Sequence, residues 1–384
     1  MNLLLYLTIF LFSLGQIGRI SFFGQQINLY LYEILVLSGL MVLLGKYRLK
    51  PLTDSFKEYR LAYIFFIWLA LSFLIGISQY KAIENFVGFL YLVRIVLYWT
   101  YGIFLRRWID GNFASGKILD NSMRLLIILV ILFSAVQYLF YPNLRNLIYA
   151  GWDPHLYRMF GTFFDTSVAG AVYGLILMRL FFTGDGISKN KFIKKALMIV
   201  FLVFIVLTYS RILYLSLTIA AGFFAVRKKR FKAILVFIFL FGALILLSPK
   251  PFGEGVNLMR TFSIRSRVAD YQNALKIWEK NPIFGIGYNR LRYAKVKLNL
   301  IEEAGSELTH SGASFHSSFL IILATSGTAG LVFFISLLVG LARLHQPARY
   351  PLMFLSLLSL GDNVLLHPFV LFLLVTILAT PFRK

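Results

Sequence analysis

The sequence predicts an all-α integral membrane protein of about twelve transmembrane helices, with a helical lid loop on its outer face. Three observations predict it. First, 59% of the 384 residues are hydrophobic, only 14% are charged, and the mean hydropathy is +0.76. Soluble domains are about half apolar and a quarter charged, so a soluble core of this size and a disordered chain are both excluded. Second, apolar runs recur at the length of a bilayer span, about 20 residues. Third, 39 Lys and Arg against 16 Asp and Glu give a charge of +23, and these cations gather between the runs.

Taken in order, the runs lie near 3–18, 27–45, 61–79, 86–105, 124–141, 166–182, 194–209, 211–226, 233–248, 316–342, 350–362 and 366–381. The first has no basic residue before it and no small-residue cleavage site after it, so it reads as a retained span. The seventh and eighth meet at Tyr209-Ser210-Arg211, and the last two are short enough to be two helices or one broken hairpin. Gly184-Asp185-Gly186 and Asn281-Pro282 are turn signals. Three regions follow: a transmembrane bundle over 1–248, a large loop over 249–315 and C-terminal transmembrane helices over 316–384.

Orientation comes from the basic loops. With a cytoplasmic N-terminus, every short inside loop is basic, from Lys46, Arg48 and Lys50 through Arg106 and Arg107 to Arg227, Lys228, Lys229 and Arg230, then Arg343 and finally Arg383 and Lys384. The short outer loops carry only Arg19 and Lys81. The positive-inside rule therefore accounts for roughly half of the cations without a nucleic-acid partner. The rest lie outside, at Arg145 and Arg158 and in the long loop, among them Lys250, Arg260, Arg265, Arg267, Arg290 and Lys295. Long loops translocate whatever their charge, so topology neither forbids nor explains this excess; an anionic ligand on the outer face would.

The loop carries two helical patterns. Val268, Tyr271, Leu275 and Trp278 recur at helical spacing until Asn281-Pro282, and Leu291, Ala294, Leu298 and Ile301 do so from Arg290 to Ala304. Both read as helices on the outer membrane surface or as a lid over the bundle.

Few side chains carry chemistry. Cysteine is absent, which excludes disulfides, thiolate metal sites and a Cys nucleophile. The five His show no metal-ligand spacing, and no phosphate-binding loop motif occurs. Arg211 opens a span, where a guanidinium costs about 2.5–3.5 kcal/mol at membrane depth and marks a functional site by default, though an interfacial Arg can also snorkel. Tyr214 follows on the same helical face. Arg94 and Glu33 fall inside spans and read as a structural pair. His316 stands where the long loop re-enters the membrane; it is a base in the right pKa range or a structural hydrogen-bonder. His310 is the weaker candidate.

Four pieces, in this order, resemble the bacterial O-antigen ligase and O-antigen polymerase family. They are Arg158 with Gly161-Thr162-Phe163, then Ser210-Arg211, then Arg267-Val268-Ala269-Asp270-Tyr271 running to Pro282-Ile283-Phe284-Gly285-Ile286-Gly287, then His316 with Gly327 and Gly330-Leu331. The chain differs from the family's usual pattern in having Ser317 for Asn, Tyr271 for Trp, and Thr325-Ser326 where an acidic residue is common. The resemblance implies a GT-C-like membrane glycosyltransferase in the bacterial inner membrane, with its site facing the periplasm. It implies metal-independent, inverting transfer of a glycan from undecaprenyl pyrophosphate to an acceptor sugar hydroxyl, with no cofactor. The acceptor is a second lipid-linked glycan for a polymerase, the slightly favoured reading, or lipid A core for a ligase. By position His316 matches the family's base and Arg211 and Arg267 its pyrophosphate-contacting arginines; Arg158, Tyr214, Arg265 and Arg290 fall nearby. Membrane lipids and a chain-length regulator belong among the expected partners. A lipid-linked glycan flippase is the alternative from another class, and a structural scaffold is the third.

Overall fold

The computed structural model describes residues 1–111, 113–182, 190–249, 251, 254–301, 310–345 and 348–379. It is all-α apart from one small hairpin. The helices are α1 (Asn2–Ser13), α2 (Leu31–Tyr47), α3 (Lys50–Ser55), α4 (Arg60–Ile75), α5 (Ala82–Asp110), α6 (Phe113–Phe140), α7 (Thr166–Phe182) and α8 (Lys191–Leu207). They continue with α9 (Arg211–Arg227), α10 (Phe231–Leu247), α11 (Phe262–Trp278), α12 (Leu291–Lys297), α13 (His310–Ala313), α14 (Ser318–Leu344), α15 (Arg349–Leu358) and α16 (Pro368–Ala379).

A helix stands at each of the twelve apolar runs. Among the described residues α5, α6 and α14 are long and apolar enough to cross a membrane, and α1, α4, α7, α10 and α16 are shorter apolar helices. One boundary differs from expectation. The second run starts not as helix but as β2 (Ile27–Tyr30), paired antiparallel with β1 (Arg19–Phe22). Its alternating Ile27, Leu29 and polar Asn28 suit a half-buried strand. The last two runs form separate helices, α15 and α16, joined through Ser359–His367. The Gly184-Asp185-Gly186 signal, Lys250, Arg383 and Lys384 lie outside the described residues.

The two most enclosed helices are α7 and α16. From Val168 to Leu180, and from Phe369 to Ala379, nearly every side chain is buried. Their sequences are apolar all round, which is what a helix with neighbours on every side requires. At the periphery α10 buries only Phe241 and turns Leu235, Val236, Ile238 and Phe239 outward, as a lipid-facing helix does. The span charges pair with each other: Arg94 grips Glu33 through Nε at 2.7 Å and Nη2 at 3.1 Å, and Tyr98 donates to the same carboxylate.

The segment Pro282–Gly287 is stitched into α14. That helix breaks at Gly327, whose φ is 69°. The carbonyls freed by the break find partners in the loop: Ile286 N donates to Ala324 O at 3.1 Å and Gly287 N to Thr325 O at 2.8 Å. Thr328 N returns a bond to Pro282 O, and Trp68 Nε1 donates to Ser326 O. Irregular backbone inside a membrane bundle survives only where protein satisfies it, and this motif does so. Gly285 (φ 70°) and Gly327 face each other's backbone so closely that a Cβ on either would strike the opposite chain.

Candidate active site

At one end of the bundle four segments converge: α11, the start of α9, the loop before α14 and the α15–α16 connection. α11 packs against α14, burying Ala274 and Ile277 completely. At about 100° per residue, Arg267 and Asp270 share that inner sector. Most of the expected apolar stripe faces outward: Val268, Tyr271 and Leu275 are 41–52% exposed, while Trp278 bonds back to Pro282 O and Thr328 Oγ1. The stripe seen in the sequence is thus the outer sector, and the sector against the bundle mixes Ala and Ile with the two charged residues. The second lid helix, α12, ends at Lys297, short of Ala304. It buries Leu291, Ala294 and Lys295 against the protein, so it covers the bundle and does not lie on its outside.

His316 sits two residues before α14. Its Nδ1 lies 2.5 Å from Asp270 Oδ2, and its main-chain N–H donates to the same oxygen at 2.8 Å. The His316 side chain is 42% exposed. The hydrogen bond to Asp270 holds the imidazole above its ordinary range, against the opposing effect of burial. Burial alone would raise the Asp270 carboxyl, but the hydrogen bonds from His316 outweigh it and hold the carboxyl below its usual range.

Arg267 donates from Nε to Gly361 O at 2.7 Å and from Nη2 to Asp362 Oδ1 at 2.9 Å. Asp362 takes a further bond from Ser167 Oγ at 2.7 Å, tying α7 to the same point. Arg211 Nη1 donates to Leu258 O at 3.1 Å. Arg260 bonds Gly255 O and Asn257 O through Nη1 and Tyr209 O through Nη2. Burial, then the charges of Arg211 and Arg267, pulls the Arg260 pKa down. Arg158 donates to Thr208 O at 2.9 Å and is lowered to about 10 by burial and by Arg260. Asp165, which caps α7 by accepting from Ser167 N and Val168 N, is raised to about 6 by burial.

Arg158, Arg211 and Arg267 thus gather around Arg260, with His316 beside Arg267. Three expected members stand apart from that cluster or are engaged otherwise. Arg290 is fully buried, donating to Phe73 O at 2.9 Å and Asn85 Oδ1 at 2.6 Å with its guanidinium 3.9 Å over the Phe73 ring. It fastens the lid to α4 and α5. Arg265 is exposed and lies about 200° around α11 from Arg267. Tyr214 is buried beneath the cluster, and its hydroxyl is spent on Val206 O. Sequence reasoning missed Asp270, Asp362 and Arg260 as site residues. Asp270 had a signal, three residues after Arg267 on one helix face; so did Asp362, an acid in a short turn between apolar runs.

Residues 196–335 match the family described as O-antigen ligase. No curated protein matches the chain. The matched segment runs from α8 into α14 and contains Arg211, Arg260, Arg267, Asp270 and His316. Over this segment, which is less than half of the chain, the protein is similar to the O-antigen ligase family.

Proposed function

We propose that this protein is a membrane glycosyltransferase of surface-polysaccharide assembly, which moves a glycan from a lipid pyrophosphate to an acceptor hydroxyl. The observation that carries the reading is the convergence of Arg267 and Asp270, on one face of α11, with His316 and Arg211. Four guanidiniums (Arg158, Arg211, Arg260, Arg267) outnumber the three carboxylates (Asp165, Asp270, Asp362) around them, an excess of positive charge. A pyrophosphate esterified at both ends carries one negative charge on each phosphorus and suits such an excess. As the sugar leaves, charge builds on the pyrophosphate, and fixed guanidiniums in a partly dry site stabilise it strongly. They supply the charge that a divalent metal supplies in other sugar transferases. His316 takes the acceptor proton through Nε2, and one direct displacement inverts the anomeric centre.

In this reading 1–248 and 316–384 form the transmembrane bundle and 249–315 the lid. The N-terminus is cytoplasmic and the site faces the periplasm, by the distribution of Lys and Arg. The donor is an undecaprenyl-pyrophosphate-linked glycan; the acceptor is a second such glycan, ahead of lipid A core. The transporter reading leaned on Arg94 and Glu33, which are each other's partners. The test is a deletion strain whose surface glycan is run on a gel. One repeat left on the lipid identifies a polymerase; loss of all polymer from lipid A identifies a ligase. Complementation with His316→Ala should restore no polymer while donor binding persists. Normal glycan chains in that strain remove His316 from the chemistry.

A further inference from the structure

We propose that Asp270 is the positioning residue for His316: one carboxylate oxygen takes both the ring Nδ1–H and the main-chain N–H of His316, fixing the imidazole in the tautomer that leaves the Nε2 lone pair open to the acceptor hydroxyl. This deepens the reading above and rests on His316 being the base. The distances are 2.5 Å to Nδ1 and 2.8 Å to the main-chain nitrogen. A neutral imidazole has a single N–H, so an ionised carboxylate at Nδ1 decides which nitrogen is left basic. Two donors from one residue to one oxygen also fix the ring's direction, which a single bond would leave free to swing.

The surroundings hold Asp270 in place and ionised. Ala274 and Ile277, on the same sector of α11, are fully buried against the bundle. From the lid, buried Lys295 donates Nζ to Ser314 O at 2.5 Å and lies 4.2 Å from the centre of the Phe315 ring, clamping the two residues that precede His316. Its charge favours the ionised Asp270, while burial lowers its own pKa to about 8. The other charges felt by His316 are Asp362, which raises its pKa, and Arg267, which lowers it.

In the step so assembled, the acceptor O–H gives its proton to Nε2 while its oxygen bonds to the anomeric carbon. The bond from that carbon to the pyrophosphate oxygen breaks, and the pyrophosphate leaves with the electron pair. Asp270 stabilises the imidazolium that forms without itself taking the proton. The imidazolium returns its proton to solvent.

The test uses the purified full-length chain with a synthetic lipid-pyrophosphate-linked donor, and reads kcat and KM across pH. For Asp270→Asn the expected kcat loss is on the order of 10²–10⁴-fold, with donor KM within about two-fold. The acidic limb of its residual activity should move to lower pH than in the wild type, because the ring loses the carboxylate that holds it above 6.5. Asp270→Glu should recover part of the rate and keep the raised limb. Wild-type kcat in Asp270→Asn, or a lost rate with an unmoved limb, overturns the proposal. If Asp270→Asn does not fold, the wild type and Asp270→Glu decide, and limbs at or below the ordinary imidazole range in both overturn it. His316→Ala decides the underlying reading separately: wild-type activity there removes the base itself, whereas an inactive His316→Ala beside a wild-type Asp270→Asn removes only the positioning role.

Discussion

In the proposed site Arg267 does what a lysine could not. Its fork already serves Gly361 O and Asp362, and the remaining N–H groups are the ones a phosphate would use. An ammonium cannot divide itself that way, so Arg267→Lys should lower kcat/KM on the order of 10²–10³-fold in the same transfer assay. Near wild-type turnover would mean that Arg267 only braces the loop. The His316–Asp270 pair also sets opposed pH trends. The imidazole's pKa is raised by folding, so its stabilising contribution is full below the ordinary His range and fades as pH climbs through the raised value. The carboxyl's is lowered, so its contribution disappears only as pH falls through the Asp range. In the proposed mechanism activity needs the neutral ring and therefore rises over the interval in which the pair weakens. Arg211 and His316 drew notice in the sequence because polar groups at span boundaries are costly and few, and Arg267 did so through the family resemblance. Asp270 and Asp362 carried only weak signals, since their partners lie 46 and 95 residues away. Arg290 looked like a ligand contact because sequence cannot tell a cation that faces a site from one that anchors a lid.

Among the elements, α11 was legible as a helix but not in its facing. Period gives one apolar stripe; which side meets the bundle depends on a neighbour that periodicity does not name. Hence Val268 and Leu275 turned out to be outward, and Ala274 and Ile277, less conspicuous, inward. The break in α14 was visible only as a glycine within an apolar run. Its physical content is a left-handed φ together with a backbone neighbour too close for any Cβ. Gly327→Ala should therefore cost at least the 1–3 kcal/mol or so of a strained φ, plus the collision with Ile283 O. Thermal unfolding in detergent reads this as a marked fall in midpoint. An unchanged midpoint would mean that the two strands of the stitch can part at little cost.

For the molecule as a whole, each of the twelve apolar runs holds a helix, four further short or loop helices among the described residues carry no such run, and composition alone excluded a soluble core. The hairpin before α2 was hidden because β2 runs without a break into the apolar helix that follows. In the proposed orientation the excess charge divides into loops on the cytoplasmic side and a cluster that can hold an anion. The outward stripe of α11 would then rest in the outer leaflet, with Lys276 toward water. A chain without cysteine makes this simple to test with a single introduced thiol. Val268→Cys in liposomes should resist an aqueous maleimide and react once detergent replaces the bilayer, whereas Lys276→Cys should react in both. Equal labelling of the two in liposomes would lift α11 off the membrane.

The stitch between Pro282–Gly287 and α14 bears on how anything reaches the site. It fastens the middle of the lid to the bundle, with α11 before the fastening and α12 after it. Such a lid cannot swing as one door. It has two leaves on a common post: in the proposed function α11 presents Arg267 and Asp270 to the lipid-borne substrate, and α12 holds Lys295 behind His316. Donor and acceptor could therefore enter by separate leaves, in either order, without the post ever moving. Amides of Ile286 and Gly287 would then be among the slowest to exchange, although they belong to a loop.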